Sequence, residues 1–167
     1  MDTDRESDAY SQLNYVMKIP AGMMQPHFTM TVTQVMEMVR TFDQSVPLET
    51  ALTAMILDKS DFIVATNEGR LSGILSAKAL VKVMLTGKAA LEKPISEYMT
   101  AVPNVICVTS DENLSYCMAL IMQREIHHLP VVTSLDDTSP DYLKVEGIFN
   151  ANVISRLYFE LLAGTEL

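Results

Sequence analysis

The residues best placed to do chemistry sit where strands give way to helices. Ser76 follows the strand Arg70–Leu75 and opens Ala77-Lys78-Ala79-Leu80; Asn150 follows the strand Leu143–Phe149 and opens Ala151-Asn152-Val153. A hydroxyl or amide at such a junction accepts from the first free N–H groups of a helix. Those N–H groups and the positive end of the helix dipole also attract anions. Lys78, in the first turn of its helix, and Arg40, in an early strand, can each meet a phosphate. A plainer alternative stands beside this one: Ser76 and Asn150 are only N-caps, and Lys78 and Arg40 are solvated charges.

Other chemistry-bearing residues point to less. His127 and His128 are adjacent in a strand, so their side chains face opposite ways and cannot share one metal ion; no metal is expected. Asp136, Asp137 and Asp141 can gather a hard cation in a polar loop, but read first as a solvated turn. Cys107 and Cys117 fall on apolar faces and read as buried, reduced thiols. The sequence has no Gly-rich phosphate loop, Gly-x-Ser-x-Gly, Cys/His pairing or scaffolded acid pair. Catalysis is not expected.

The elements that position these residues come in two copies. Displacing the chain by 66 positions lays Leu48 to Ile56 on Leu114 to Met122, and Val39 to Phe42 on Val105 to Val108. Eight further residues in the second copy then bring Gly73-Ile74-Leu75-Ser76 onto Gly147-Ile148-Phe149-Asn150. Each copy reads strand, helix, strand, strand, helix. In the first, Val39–Phe42 is a strand, and Ser45 caps a helix with Pro47 in its first turn. Leu48, Ala51, Leu52, Met55 and Ile56 make its apolar stripe. Asp61–Thr66 and Arg70–Leu75 are strands joined at Asn67-Glu68-Gly69, and Leu80, Val81, Val83, Met84 and Leu85 stripe the second helix. In the second copy, Val105–Val108, His128–Thr133 and Leu143–Phe149 are strands. Their helix, 113–125, carries Leu114, Cys117, Met118, Ile121 and Met122; the last helix points Val153, Ile154, Leu157, Leu161 and Leu162 inward. Thr33 caps a short turn ahead of the first copy, and Tyr10–Lys18 forms a short helix. The twelve methionines read mostly as core, with Met23, Met24, Met30, Met36 and Met38 an optional docking cluster. Two such units stacked sheet on sheet bury enough surface to be stable, and a site forms where they meet.

Met99-Thr100-x-x-Pro103-x-Val105, followed by Ile126-His127-His128-Leu129-Pro130-Val131-Val132 and Val145-Glu146-Gly147-Ile148, resembles a cystathionine-β-synthase (CBS) domain. The stretch from Val35-Met36 to Ser76 looks like a more divergent copy. The resemblance spans roughly Thr31 to Leu162. It implies an α/β (α+β) fold of two β-α-β-β-α CBS motifs packed sheet to sheet with pseudo-two-fold symmetry. The divisions are an extension at 1–30, a first motif at 31–88 and a second at 89–167. It also implies a regulatory module rather than an enzyme, binding AMP, ADP, ATP or S-adenosylmethionine between the repeats and assembling as a homodimer. The strand segments Phe62-Ile63-Val64 and His128-Leu129-Pro130 would wall a slot for the base. Arg40, Thr41, Ser76, Lys78, Val108, Asn150 and Asn152 complete the expected ligand-binding set.

One departure matters. The family's nucleotide signature, Gly-h-x-Thr/Ser-x-x-Asp, holds ribose with its hydroxyl and Asp. Here the Asp positions are Ala79 and Val153, and Asn150 replaces the second hydroxyl. The expectation is therefore a stand-alone ligand sensor that signals to an unidentified partner protein, with a ligand-free dimerisation or adaptor module as its alternative. The net charge of −9 and the absence of basic clusters argue against nucleic acid and acidic membrane surfaces. The acidic start, Met1-Asp2-Thr3-Asp4, is no signal peptide, no stretch reads as a membrane span, and a cytoplasmic address follows.

Overall fold

A computed structural model of the protein describes residues 30–85, 87–153, 155 and 156. The helix expected at Tyr10–Lys18, the methionines before Met30, and Ile154, Leu157, Leu161 and Leu162 lie outside these residues.

The first motif runs β1 (Thr41–Asp43), α1 (Leu48–Leu57), β2 (Phe62–Asn67), β3 (Arg70–Ser76) and α2 (Ala77–Met84). The second runs β4 (Thr100–Ala101), β5 (Val108–Thr109), α3 (Leu114–Arg124), β6 (His128–Val132) and β7 (Val145–Asn150), with a helix beginning at Ala151. β1 and β5 start later than the apolar pattern suggests: Val39 and Val105 pack between the sheets rather than pairing within them. Pro47, not Ser45, occupies the N-cap of α1: the helix starts only at Leu48, and Ser45 folds back on Asp43, whose Oδ1 accepts from both its N–H and its hydroxyl. Likewise Thr31, not Thr33, caps the turn Val32–Gln34. Asn67 and Arg70 close a two-residue hairpin in which Glu68 (φ 51°) and Gly69 (φ 79°) both adopt positive φ, the twist that suits antiparallel strands.

The repeat holds pair by pair. In one sheet β1 runs parallel to β2 (Phe42 opposite Ala65) and β2 antiparallel to β3 (Phe62 opposite Ser76). In the other, β5 is parallel to β6 (Val108 opposite Val131) and β6 antiparallel to β7 (His128 opposite Asn150). Both hairpins bulge at the same place, Ala65/Thr66 and Val131/Val132. The sheets face each other across Val64, Leu71, Cys107, Val132, Leu143 and Ile148. Each outer face is covered by its own helices, over Leu48, Ile63 and Leu75 in the first motif and Leu114, Leu129 and Phe149 in the second.

The halves are tied by an exchange of opening segments. β4, from the second motif, completes the first sheet against β3, with Thr100 opposite Ile74. Reciprocally, Glu37 pairs with Ile148 on β7, through Glu37 N–H to Ile148 O and Ile148 N–H to Glu37 O, both 2.9 Å. Two glycines permit the approach. A Cβ on Gly73 would meet Thr100 O at 2.8 Å, and one on Gly147 would meet Glu37 O at 2.7 Å.

The helix stripes are narrower than the sequence suggests. On α1 the buried residues are Leu48, Ala51 and Ala54, and on α3 Leu114, Cys117, Leu120 and Ile121. Ile56 (74% exposed) and its repeat mate Met122 (72%) lie on the outer edge, as do Val81 and Met84 on α2 and Leu85 at its C-cap. The small residues Ala51 and Cys117 lie fully buried on the sheet-facing sides of their helices.

Gly73→Ala and Gly147→Ala should each destabilise the fold by about 1–3 kcal/mol in urea unfolding, since the added methyl crowds a backbone oxygen at both sites and, at Gly73, the Met99 side chain as well. A loss under a few tenths at both would refute the exchange. Burial raises the thiol pKa to about 11 at Cys107 and about 12 at Cys117, so both should resist alkylation at pH 8 until the protein is unfolded. Labelling of the native protein at a free-thiol rate would contradict this.

Candidate functional site

Where β3 ends, its last residue becomes the N-cap of α2. Ser76 is extended (φ −88°, ψ 159°), and its Oγ accepts from Ala79 N–H at 3.4 Å. Ala77 N–H donates to Asp61 O at 2.8 Å, which fixes the helix start against the residue leading into β2. No acceptor for Lys78 N–H is found among the described residues. The N-terminus of α2 thus opens into a cleft of about 460 Å³ between the motifs. Asp61, Ile74 and the Ser76–Ala79 turn supply one wall; Thr100, Asn104–Ile106 and Glu125–His128 supply the other.

The two walls are joined by a histidine. His128 Nε2 lies 2.9 Å from Asp61 Oδ1, and its ring sits 4.3 Å from that of Phe62, tilted by 39°. A carboxylate only accepts, so Nε2 carries the proton. His128 is 8% exposed and Asp61 63%. Burial pushes the histidine pKa down, and the Asp61 charge opposes this without overcoming it; His128 is neutral at pH 7. The cleft therefore offers the Ser76 hydroxyl, a free N–H at Lys78, the Lys78 ammonium, the carboxylates of Asp61 and Glu125, and an apolar floor at Ile74, Val105 and Ile106. This suits a ligand with a flat apolar part, hydroxyl groups and an anionic end.

Of the residues expected from sequence, Ser76, Lys78 and His128 line this cleft. Phe62 stands behind His128. Ile63, Val64, Leu129, Pro130 and Val108 are buried in the cores and support the cleft without facing it. Thr41 is exposed beside its partner Val64, and Arg40 pairs with Asp58 at 3.1 Å, away from the cleft. Asn150 and Asn152 lie at the other helix start, where Asn150 Oδ1 accepts from Asn152 N–H at 2.9 Å. The sequence reading missed Asp61, Thr100, Asn104 and Glu125. A signal existed for one of them: Glu125 is the repeat mate of Lys59, and both adopt positive φ (52° and 53°) just past a helix. That backbone turns the chain from each helix end towards the strand.

The two adjacent histidines are splayed, with ring centroids 6.4 Å apart at 55°. In the polar loop, Asp136 Oδ1 accepts from Thr138 N–H at 3.0 Å and Thr138 Oγ1 at 2.7 Å, which lowers its pKa and ties that carboxylate to the loop itself. No group of three His, Cys, Asp or Glu side chains placed to hold a metal occurs among the described residues.

Residues 95–154 match the CBS domain family. No curated protein sequence matches the chain. Among solved structures, AcuB from Vibrio cholerae superimposes with a TM-score of 0.67 at 22% identity, over 81% of this chain and 95% of that one. The CBS domain pair of protein MJ0100, in complex with 5′-methylthioadenosine and S-adenosyl-L-methionine, matches with a TM-score of 0.64 at 25% identity, over 79% and 98%. CBSX2 in complex with AMP matches with a TM-score of 0.62 at 20% identity, over 79% and 98%. With its second motif matched directly and its first repeating that motif strand for strand, the chain carries a CBS domain at 95–154 and has the fold of a tandem CBS-domain pair.

Proposed function

We propose that this CBS pair is a non-catalytic regulatory module that binds an adenosine-containing ligand in the Ser76 cleft and signals the bound state to a partner protein. The observation that carries the reading is the open start of α2, where Ser76, the Lys78 N–H and the Lys78 ammonium converge on a cleft built from both motifs. Solved CBS pairs of the same fold hold AMP, 5′-methylthioadenosine and S-adenosyl-L-methionine, which supports the ligand class. The base would lie on Ile74, Val105 and Ile106, and an anionic group would face the helix dipole and Lys78. Because both walls contribute, a ligand bridging them would favour one spacing of the motifs, and that spacing is what a partner would read. The Asp61–His128 hydrogen bond spans the same gap and sets the spacing without ligand.

The second reading, a ligand-free adaptor, is favoured by one observation. Ala79 stands where the family carries the ribose carboxylate. The exposed Ile56, Leu57, Val81, Met84, Leu85 and Met122 suit either reading, as the surface through which two copies would form a homodimer. No helix among the described residues is long and apolar enough to cross a membrane, and a cytoplasmic location is part of this proposal.

Thermal unfolding against AMP, ATP, 5′-methylthioadenosine and S-adenosylmethionine tests the choice. A ligand at 100 times its Kd should add about 2.7 kcal/mol, raising Tm by roughly 5–10 °C at this size. Ser76→Ala and Lys78→Ala should each weaken binding by about 10-fold or more, the scale of a lost hydrogen bond to a charged group. A flat panel would favour the adaptor, and full affinity in both variants would move the ligand elsewhere.

A further inference from the structure

The pseudo-two-fold that relates the motifs provides a second helix start, at Asn150, but the two starts are wired differently. At Ser76 the cap is a long 3.4 Å contact to Ala79 N–H, the hydroxyl proton is uncommitted, and Lys78 N–H has no acceptor among the described residues. At Asn150 all three equivalent N–H groups are taken. Ala151 N–H reaches His127 O at 3.0 Å, and Asn152 and Val153 N–H reach Asn150 Oδ1 at 2.9 and 3.2 Å. The remaining polar atom of this 7% exposed side chain, Nδ2, donates to Glu37 Oε2 at 3.1 Å. Arg156 holds the other oxygen, Glu37 Oε1, at 3.3 Å.

Glu37 occupies the place that Thr100 occupies at the first cleft. Thr100 lies opposite Ile74 and Glu37 opposite the repeat mate Ile148. The strand exchange therefore delivers a short neutral hydroxyl to one cleft and a carboxylate to the other. That carboxylate sits where a ligand's anionic group would approach a helix start, and it already has an amide and a guanidinium as its receptor. An incoming phosphate would have to break these charge-assisted bonds and displace a like charge.

We propose that the two ligand positions of this pair are inequivalent: the Ser76 cleft takes one ligand per chain, and Glu37 acts as a resident anion that closes the Asn150 position. This rests on the reading of the Ser76 cleft as a nucleotide site. The resident anion also ties the opening segment of the first motif to the last helix of the second, so only one of the two positions responds to ligand.

The full chain, titrated calorimetrically with AMP, should bind one equivalent; two equivalents of similar affinity would overturn the inequivalence. Placement is read by fluorescence, because the chain contains no tryptophan. Asn104 lines the first cleft, and Met38, 66 positions earlier and next to Glu37, is 88% exposed, so Asn104→Trp and Met38→Trp report base stacking at the first cleft and beside the Asn150 position. AMP should quench Asn104→Trp with saturation and leave Met38→Trp unchanged; the reverse pattern would overturn the proposal. Adding Glu37→Thr to Met38→Trp should create a second, saturable quench, and its absence would refute the role given to Glu37. If no variant responds and the unmodified chain shows no heat and no thermal shift, the nucleotide reading itself fails and this inference falls with it.

Discussion

Everything in this molecule depends on two places where backbone meets backbone without a side chain between. Gly73 and Gly147 let the opening segment of each motif lie against the third strand of the other. Without that contact each sheet would present a bare edge, and each half would be a unit of some sixty residues, small for stability on its own. With it, the first sheet gains β4, the second gains the Glu37 segment, and the faces close over Val64, Leu71, Val132 and Ile148. The cleft follows from the same contact: Thr100 reaches it only because β4 crosses over.

The site shows how near-symmetry can carry unequal chemistry. The backbone repeats faithfully, down to matching bulges and matching positive-φ residues at Lys59 and Glu125. The side chains at equivalent positions do not: Ser76 against Asn150, Thr100 against Glu37, Asp61 against His127. Fold requirements constrain only the buried positions of both copies. The polar positions at the mouths of the clefts are free to diverge, and there one helix start is left open while the other satisfies itself.

Much of the architecture was legible in the sequence because burial imposes periods. The 66-residue displacement located both hairpins, and the small residue in each first helix, Ala51 and Cys117, marked the face laid on the sheet. What was not legible has physical causes. Ser45 looked like a cap because the sequence does not show that Asp43 has already engaged it. Met122 and Ile56 looked buried because a periodic stripe fixes a face and not how far it wraps. Strand residues such as Ile63 and Leu129 looked like cleft walls because strands pass close to the site, but their side chains are consumed by the core. Asp61, Thr100 and Asn104 were missed because they come together only through the exchange, which joins segments far apart in sequence.

The exchange also orders the chain's assembly in time. As the chain leaves the ribosome, the first sheet cannot gain its fourth strand until residues 100–101 have been made, so the first motif waits, incomplete, for the start of the second. The Glu37 segment waits longer, for partners as much as 119 residues downstream. Contacts so remote in sequence slow folding. They also make it all-or-none, since neither half has a finished sheet to keep if the other is lost. A truncation anywhere before Asn150 should then cost more than the residues removed, because it strips an edge from the half that remains.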